Sequence, residues 1–497
     1  MRTSSYIIYV DLPDDRQHWL LLHSYLGVYD RVSARVARYL KSQETIPVSK
    51  PLYGDWEEDG LEPDHGWTPS EATIATLRQR GYLTNKSHED EVEFFTTSVT
   101  ELHKKRLRGT PGYVIMPTYN CNLRCHYCFQ DQMRTSPKLS HLLRTMTIDM
   151  ADRIMDSFPY IERTFHDEPP SRRPNRSFTF FGGEPLLAIS RPTVEHFIRT
   201  QQEVSTARFS AITNATELEA YEDLLGPSGI STLQITLDGP PTEHDQRRIY
   251  ADGSGSFDKI ASNIKLALDR GAGVSARVNI DRANIALLPA LAETMALYGW
   301  PNRKGFSAYL APIRDYSGLQ NAGSRPDFFN YWELKEALAA LHEQRPATKV
   351  FTRVDGGMRD EVRKVLIEQK PPALKTAYCG AHGSMYIFDS FGDIYACWDK
   401  TGDRNLRIGT VNDDSTVTLN GVGAMWRSRS VVSNPTCQRC RYAVHCGGGC
   451  AVLAENASGT IFSNFCDTFG KRFRASVAEV YSESRAQAGS PGAPISS

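Results

Sequence analysis

Ten cysteines in a chain of 497 residues fall into two groups, and this segregation constrains the fold more than any other feature. The stretch "YNCNLRCHYCFQ" at 119–130 sets Cys121, Cys125 and Cys128 in a C-x3-C-x2-C pattern just after the apolar run 113–116. The other seven, Cys379, Cys397, Cys437, Cys440, Cys446, Cys450 and Cys466, all lie between 379 and 466. Structural thiols scattered at random would not sort in this way. Short C-x2-C steps let a turn aim two thiolates at one metal, and the glycines of "CGGGC" let backbones come close. The expected function of the cysteines is therefore metal ligation or redox chemistry, with a reducing, cytoplasmic compartment in place of disulfides.

The bulk numbers narrow the partners. The length exceeds one hydrophobic core, so two or three domains are expected. Lys and Arg number 57 against 58 Asp and Glu, which leaves no field for general attraction to nucleic acid or an anionic membrane. No apolar run approaches the roughly 20 residues that cross a bilayer, and "MRTSSYIIYVDLPDDRQ" turns polar too early for a signal peptide. The expectation is no nucleic-acid partner and no membrane partner.

Structural zinc is the plain alternative for the first group. Zinc sites are closed by four ligands, whereas three cysteines on a strand-to-helix loop leave one metal position open, as a catalytic iron–sulfur cluster requires. The pattern C-x3-C-x-aromatic-C, with Tyr127 as the aromatic residue, resembles the radical S-adenosyl-L-methionine (SAM) enzymes. The seven later cysteines resemble the SPASM, or twitch-type, extension found in maturases of ribosomally made peptides. The resemblance covers about 111–470.

The middle of the chain agrees with it. Strand candidates at 113–116, 178–181, 209–212, 233–237, 274–280 and 306–311 alternate with the helical patterns "TIDMADRIMDSF", "PTVEHFIRTQQEV", "ELEAYEDLL", "FDKIASNIKLALDR" and "IALLPALAETMALY". Six such units predict an α/β fold, a partial (β/α)6 TIM-like barrel, with an open doubly wound sheet as competitor. Chemistry belongs at the carboxyl ends of such strands. There stand Cys121, "GGEP" at 182–185, Thr213-Asn214, Asp238-Gly239, and Arg277 and Asn279 ahead of Asp281.

The resemblance implies that Cys121, Cys125 and Cys128 bind three irons of a 4Fe-4S cluster whose fourth iron takes SAM, and that reductive cleavage gives a 5'-deoxyadenosyl radical. It would place Tyr127, Gly182, Gly183, Glu184, Asn214, Arg248 and Asn279 around SAM, the two glycines letting main chain approach the ligand. Ala215 departs from the Thr-Asn-Gly step that "ITNAT" otherwise resembles. Two auxiliary clusters would follow, one held by Cys437, Cys440, Cys446 and Cys466, the other by Cys379, Cys397 and Cys450 alone. No eighth cysteine exists to close the latter; His382 is the candidate by spacing. An electron donor such as flavodoxin or ferredoxin is implied as a partner.

Residues 1–110 form a separate module. "SSYIIYVD" and "HWLLLHSY" read as a hairpin, "GVYDRVSARVARYLKS" as an amphipathic helix and "TPSEATIATLRQRGYLTN" as a capped helix ending near Gly81, with "GDWEEDGLEPDHGW" an acidic loop. This loosely resembles a winged-helix-like element that recognises a precursor peptide by strand addition. The expected division is 1–110, a radical core at 111–325, a helical linker at 326–375, a SPASM domain at 376–480 and a disordered tail at 481–497, with "EPPSRRPNR" at 168–176 a surface loop.

The expected function is oxidation of a precursor peptide with formation of a C–C, C–O or thioether cross-link. A sulfatase-maturase-like formation of formylglycine is one alternative, and a non-catalytic metal-bound peptide scaffold another. Sulfatase maturases resemble one another in a Cys-Asp pair whose Asp is the base. Here "YACWDK" puts Trp398 after Cys397 and Asp399 one step later, which in an extended segment turns the carboxylate to the other face. Asp399 is the only base candidate.

Overall fold

The computed structural model describes residues 1–45, 59–167, 171, 173–314, 327–353 and 357–488. Residues 54–58 of the acidic loop, and 168–170 and 172 of the expected surface loop, therefore lie outside the described residues; Asn175 and Arg176, expected in that loop, instead open a strand, with Arg176 buried.

The N-terminal module pairs β1 (Arg2–Thr3) with β5 (Leu83–Thr84) and builds an antiparallel sheet in the order β2 (Ile7–Asp11), β3 (His18–His23), β4 (Tyr29–Ser33). The expected hairpin is β2 and β3. The stretch read as one amphipathic helix instead divides: 29–33 pair with β3, and the helix Ala34–Ser42 starts where Ser33 accepts from the Val36 amide. The helical periodicity of its second half also scans across residues 29–33, where strand pairing wins. Glu71–Gln79 forms the second expected helix, capped by Ser70. A third helix, His88–Leu107, opens on a Ser87/Asp90 capping box. Its Phe95 and Val99 pack with Val431, Cys437, Ala443 and Val444, which seats the module on the later cysteine region. Phe95 is fully buried there, a burial of about 2 kcal/mol.

One sheet organises the rest. Its six predicted strands are β6 (Gly112–Ile115), β7 (Asn175–Phe180), β8 (Thr206–Thr213), β9 (Ile230–Thr236), β10 (Gly273–Ile280) and β11 (Phe306–Pro312), parallel and in sequence order. β12 (Phe351–Arg353) extends it beyond β11; β13 (Met385–Phe388) joins β6 in parallel, and β14 (Asp393–Tyr395), β15 (Gly409–Val411) and β16 (Val417–Leu419) follow antiparallel. The linker segment and the cysteine-rich segment thus each lend strands to the core sheet.

Strand β10 shows why the sequence folds so. Val274, Ala276, Val278 and Ile280 are buried with the helices Phe257–Asp269 and Leu288–Leu297, while Ser275, Arg277 and Asn279 take the opposite face. Helices Ile148–Phe165 and Arg191–Val204 cover β6 and β7 through Phe158 and Phe197. The segment 218–224 tightens into a 3-10 helix where a helix of ordinary pitch was expected.

The sheet has two ends, so the barrel is partial, and it curls. Asp399, just after β14, feels the charge of Arg277 on β10. In a flat sheet six strand spacings of about 4.8 Å would separate them by about 29 Å. The final helix, Phe469–Ala488, packs Phe473, Val477 and Tyr481 against β2 and β3 residues. This corrects the expected tail: 481–488 are helical, and only 489–497 lie outside the described residues.

Candidate active site

The cysteine loop is folded onto the carboxyl edge of the sheet by main-chain bonds. Gly183 donates to the Thr118 carbonyl at 3.1 Å and Glu184 to that of Asn120 at 2.7 Å, while Arg124 donates to Ile249 at 2.7 Å. The paired glycines serve this contact. A Cβ on Gly182 would stand 2.5 Å from the Thr118 oxygen, and one on Gly183 2.5 Å from the Tyr119 carbonyl carbon and nearer still to the Tyr119 and Asn120 oxygens. The side of each glycine where a Cβ would stand is filled by the loop that carries Cys121.

Glu184 is buried and binds the next two strand ends together. Its carboxylate accepts from the Thr213 hydroxyl and the Asn214 amide, both at 2.6 Å, and from the Leu186 amide at 2.9 Å. Burial nonetheless lifts it to about 7. Asn214 then reaches the cysteine loop: its Nδ2 donates to Asn122 Oδ1 at 2.9 Å and lies 3.7 Å from Cys121 Sγ. Ala215 takes φ of 63°, so the backbone keeps the left-handed step that a glycine would make easily, at a cost of about 1 kcal/mol.

A second cluster converges on Tyr127. Its hydroxyl donates to Asp238 Oδ2 and accepts from Arg248 at 2.6 Å and Asn279 Nδ2 at 3.1 Å. Asp238 also accepts from the Asn279 amide at 3.0 Å. The structure therefore gathers Tyr127, Arg248 and Asn279 as expected, and gives Asp238 the organising part. Arg248 is buried beside Cys125, and its Nε has no partner among the described residues. Sequence reasoning missed Arg134, which donates to Cys128 Sγ at 3.1 Å. No pattern in the sequence marks it.

The later cysteines separate into two neighbourhoods. Cys466 is influenced by Cys446, Cys440 and Cys437, whereas Cys397 is influenced by Cys450, Cys379 and Asp399. Glycine again allows the approach. A Cβ on Gly447 would sit 2.7 Å from Tyr378 Cα, and one on Gly449 2.7 Å from the Phe465 carbonyl carbon, so this turn brings the chains before Cys379 and Cys466 together. Burial pushes the Cys121 and Cys440 thiols up to about 12 and raises Cys437, Cys466 and Cys397 as well. Among the described residues no three Cys, His, Asp or Glu side chains close on a single ion.

Whether these thiols suit iron–sulfur clusters can be tested on Arg429. It is 3 % exposed, and its guanidinium donates to the carbonyls of Ile461, Gly449 and Ser463 and to His382 Nε2, all uncharged. The groups near it that can carry negative charge are the thiols of both neighbourhoods: Cys437, Cys379, Cys450 and Cys446. A buried cation without a counter-charge costs several kcal/mol. Thiolates held ionised by metal supply that charge, so the donor set fits.

His382 does not fit as a further ligand. Its Nδ1 donates to the Trp426 carbonyl at 3.0 Å, its Nε2 accepts from Arg429 at 3.3 Å, and its ring stacks on Trp426. Asp399 differs from expectation too. Residues 398–400 form a 3-10 turn, not an extended segment, and the carboxylate turns back to accept from Cys397 Sγ at 3.6 Å. Trp398 lies against Phe181 with ring centres 5.5 Å apart.

An α/β domain with three thiols and a buried polar network on the carboxyl edge of a curled parallel sheet defines a class of cofactor-dependent enzyme. Comparison with known proteins specifies the class. Residues 115–281 match the model of the radical SAM superfamily. The chain is 23 % identical over 381 residues to the cysteine-type anaerobic sulfatase-maturating enzyme of Clostridium novyi, covering 73 % of this chain and 93 % of that protein. It is 21 % identical over 366 residues to the radical SAM cyclopropyl synthase TigE of Paramaledivibacter caminithermalis, 70 % of each chain. The solved structure of native anSMEcpe with bound AdoMet and Cp18Cys peptide superposes with a TM-score of 0.52 at 17 % identity, over 76 % of this chain and all of that one. The protein contains a radical SAM domain and is a radical SAM enzyme, with SAM and a 4Fe-4S cluster as its cofactors. Among the described residues no helix is long and apolar enough to cross a membrane.

Proposed function

We propose that the protein modifies a peptide substrate by oxidation, removing two hydrogens and joining two of its residues. Cys121, Cys125 and Cys128 hold the radical cluster. Cys437, Cys440, Cys446 and Cys466 hold one auxiliary cluster, and Cys379, Cys397 and Cys450 hold most of another. When bound, the clusters and SAM supply the electron, the abstraction of one substrate hydrogen as a hydrogen atom, and the acceptor for the electron left behind.

The residues of the chain do the rest. Glu184 fixes the strand ends that aim Asn214 at the cysteine loop. The Tyr127 hub holds Arg248 beside Cys125, where its unpartnered Nε suits a carboxylate of SAM. An external carrier such as flavodoxin or ferredoxin provides reducing electrons.

The observation that carries the cross-linking reading is the aromatic wall of Trp398 and Phe181 beside Gly182, where a sulfatase maturase would place its acid. The N-terminal sheet supports a peptide partner: β4 has an outer edge that no described strand pairs, next to a largely apolar cavity of about 130 Å³ lined by Leu22, Tyr29, Met358, Val362 and Phe473. Similarity over 93 % of a sulfatase-maturating enzyme favours formylglycine formation as a second reading.

Anaerobic incubation with SAM, a reductant and candidate precursor peptides decides between them. Loss of two hydrogens, 5'-deoxyadenosine formation and a fragmentation gap between two residues support the cross-link. A product that reacts with an aldehyde reagent overturns it in favour of formylglycine. Nucleoside without any change in a cognate peptide overturns both.

A further inference from the structure

Cys379, Cys397 and Cys450 leave one position of their cluster without a cysteine, and the structure removes His382 from contention because both ring nitrogens are engaged. Among the described residues a further donor, Asp399, stands beside these thiols. Asp399 Oδ2 lies 3.6 Å from Cys397 Sγ, and the charge of Asp399 also acts on Cys450. The carboxylate is half-buried and makes no ion pair among the described residues. Both cations near it are committed elsewhere: Lys400 binds Glu455 at 2.6 Å, and Arg277 Nε donates to Asn279 at 2.9 Å.

Once metal ionises the three thiols, they and the Asp399 carboxylate would be four neighbouring anions, and Arg429 acts on only Cys379 and Cys450 among them. Like charges so placed repel by several kcal/mol at the effective dielectric of a protein unless a cation lies between them. Iron is that cation in a group of cysteines of this kind. The 3-10 turn at 398–400 presents Cys397 and Asp399 from one short segment, as a two-point grip on a cluster requires.

We infer that Asp399 is the fourth ligand of the auxiliary cluster held by Cys379, Cys397 and Cys450, bound through its carboxylate. This rests on the reading that those three cysteines hold a cluster. It separates Asp399 from the acid–base part that its place in the sequence suggests, and it gives one iron a hard oxygen donor among soft thiolates.

The test uses full-length protein with Cys121, Cys125 and Cys128 changed to Ala, so that only the auxiliary clusters remain. It is reconstituted anaerobically, and iron, sulfide and the EPR spectrum of the reduced state are recorded with and without imidazole. With Asp399 present, the spectrum should resist imidazole. Asp399→Ala should open the site, giving a spectrum that shifts on adding imidazole, and Asp399→Cys should give a third spectrum that resists it again.

The inference is overturned if Asp399→Ala and its parent have the same spectrum and the same imidazole response. It is equally overturned if Asp399→Asn, in otherwise wild-type enzyme, leaves the auxiliary spectra untouched and forms nucleoside but no product, which is the behaviour of a base. Iron for only one cluster in the triple-cysteine variant defeats the underlying cluster reading instead, and is distinguishable by the count alone.

Discussion

Gly183→Ala should disable the radical site while leaving the later clusters intact. The added Cβ would sit 2.5 Å from the Tyr119 carbonyl carbon, with two carbonyl oxygens closer still. An ordinary carbon contact begins near 3.5 Å, so the loop must withdraw by about 1 Å. The loop is also held by the Gly183 and Glu184 amides and by Arg124, so withdrawal breaks bonds at both of its faces. Overpacking of this kind costs about 1–3 kcal/mol, and Cys121 is the residue immediately after the displaced Asn120. Misplacement by about 1 Å in a reacting centre lowers rates by about 100-fold. The assay is iron content by difference, the EPR signal of the SAM-responsive cluster, and 5'-deoxyadenosine formation. Gly421→Ala, where an added Cβ meets nothing within 4 Å, is the control and should match the parent. A Gly183→Ala protein with full iron and nucleoside formation within about twofold of the parent would refute the claim that the paired glycines exist to seat the cysteine loop.

Tyr127→Phe removes the hub between Asp238, Arg248 and Asn279; leaving those groups underpaired costs about 1–3 kcal/mol, so SAM affinity by calorimetry should fall about 10- to 100-fold. Arg429→Met takes a positive charge from both later cysteine neighbourhoods, so potentiometric EPR should show both auxiliary signals moving to lower potential, with the SAM-responsive signal unmoved. Ala215→Gly relieves a left-handed alanine, and after the entropy cost of glycine should change stability by less than about 1 kcal/mol with activity retained, as thermal unfolding and nucleoside formation would show. His23 is buried and held down to about 4 by desolvation, against an ordinary 6.5, so the unfolded chain binds the extra proton between those values. Its contribution is present above pH about 6.5 and lost as pH falls toward about 4, a difference on the order of 3 kcal/mol, and urea unfolding of His23→Gln across that window should show a correspondingly smaller acid slope.

The parallel strands were legible because each is a short β-branched or aromatic run ending in a polar turn, and all six stand where that pattern put them. Tyr29–Ser33 was not, because its pairing with β3 overrides a local sequence that also scans as the start of a helix. The site was legible in its residue types more than in their duties. Gly182, Gly183 and Glu184 read as ligand contacts, and the structure gives them a further duty, holding Thr118–Asn120 and Thr213–Asn214. No single-sequence pattern says which side of a glycine a neighbouring chain will fill. Arg134 and Arg429 were invisible for a related reason: an arginine in sequence is a surface residue by default, and only the fold shows a guanidinium enclosed by thiols.

That enclosure bears on how the protein works as one unit. Arg429 binds the carbonyls of Gly449, Ser463 and Ile461, in the segments that carry Cys450 and Cys466, and so ties both auxiliary neighbourhoods to one charge. Cys437 at the same time packs with Phe95 and Val99 of the N-terminal helix. A peptide bound along β4 would therefore rest on a module that packs against Cys437, a proposed cluster ligand. On the proposed function, metal loading would order the later cysteines, their order would seat the module, and the module would present the peptide toward the sheet edge that carries Cys121. Loss of iron from the Cys437 neighbourhood should then weaken peptide binding as well as turnover, which fluorescence anisotropy of a labelled peptide on reconstituted and chelator-stripped protein would reveal. Equal affinity in the two states would mean that recognition and electron transfer are separate functions on one chain.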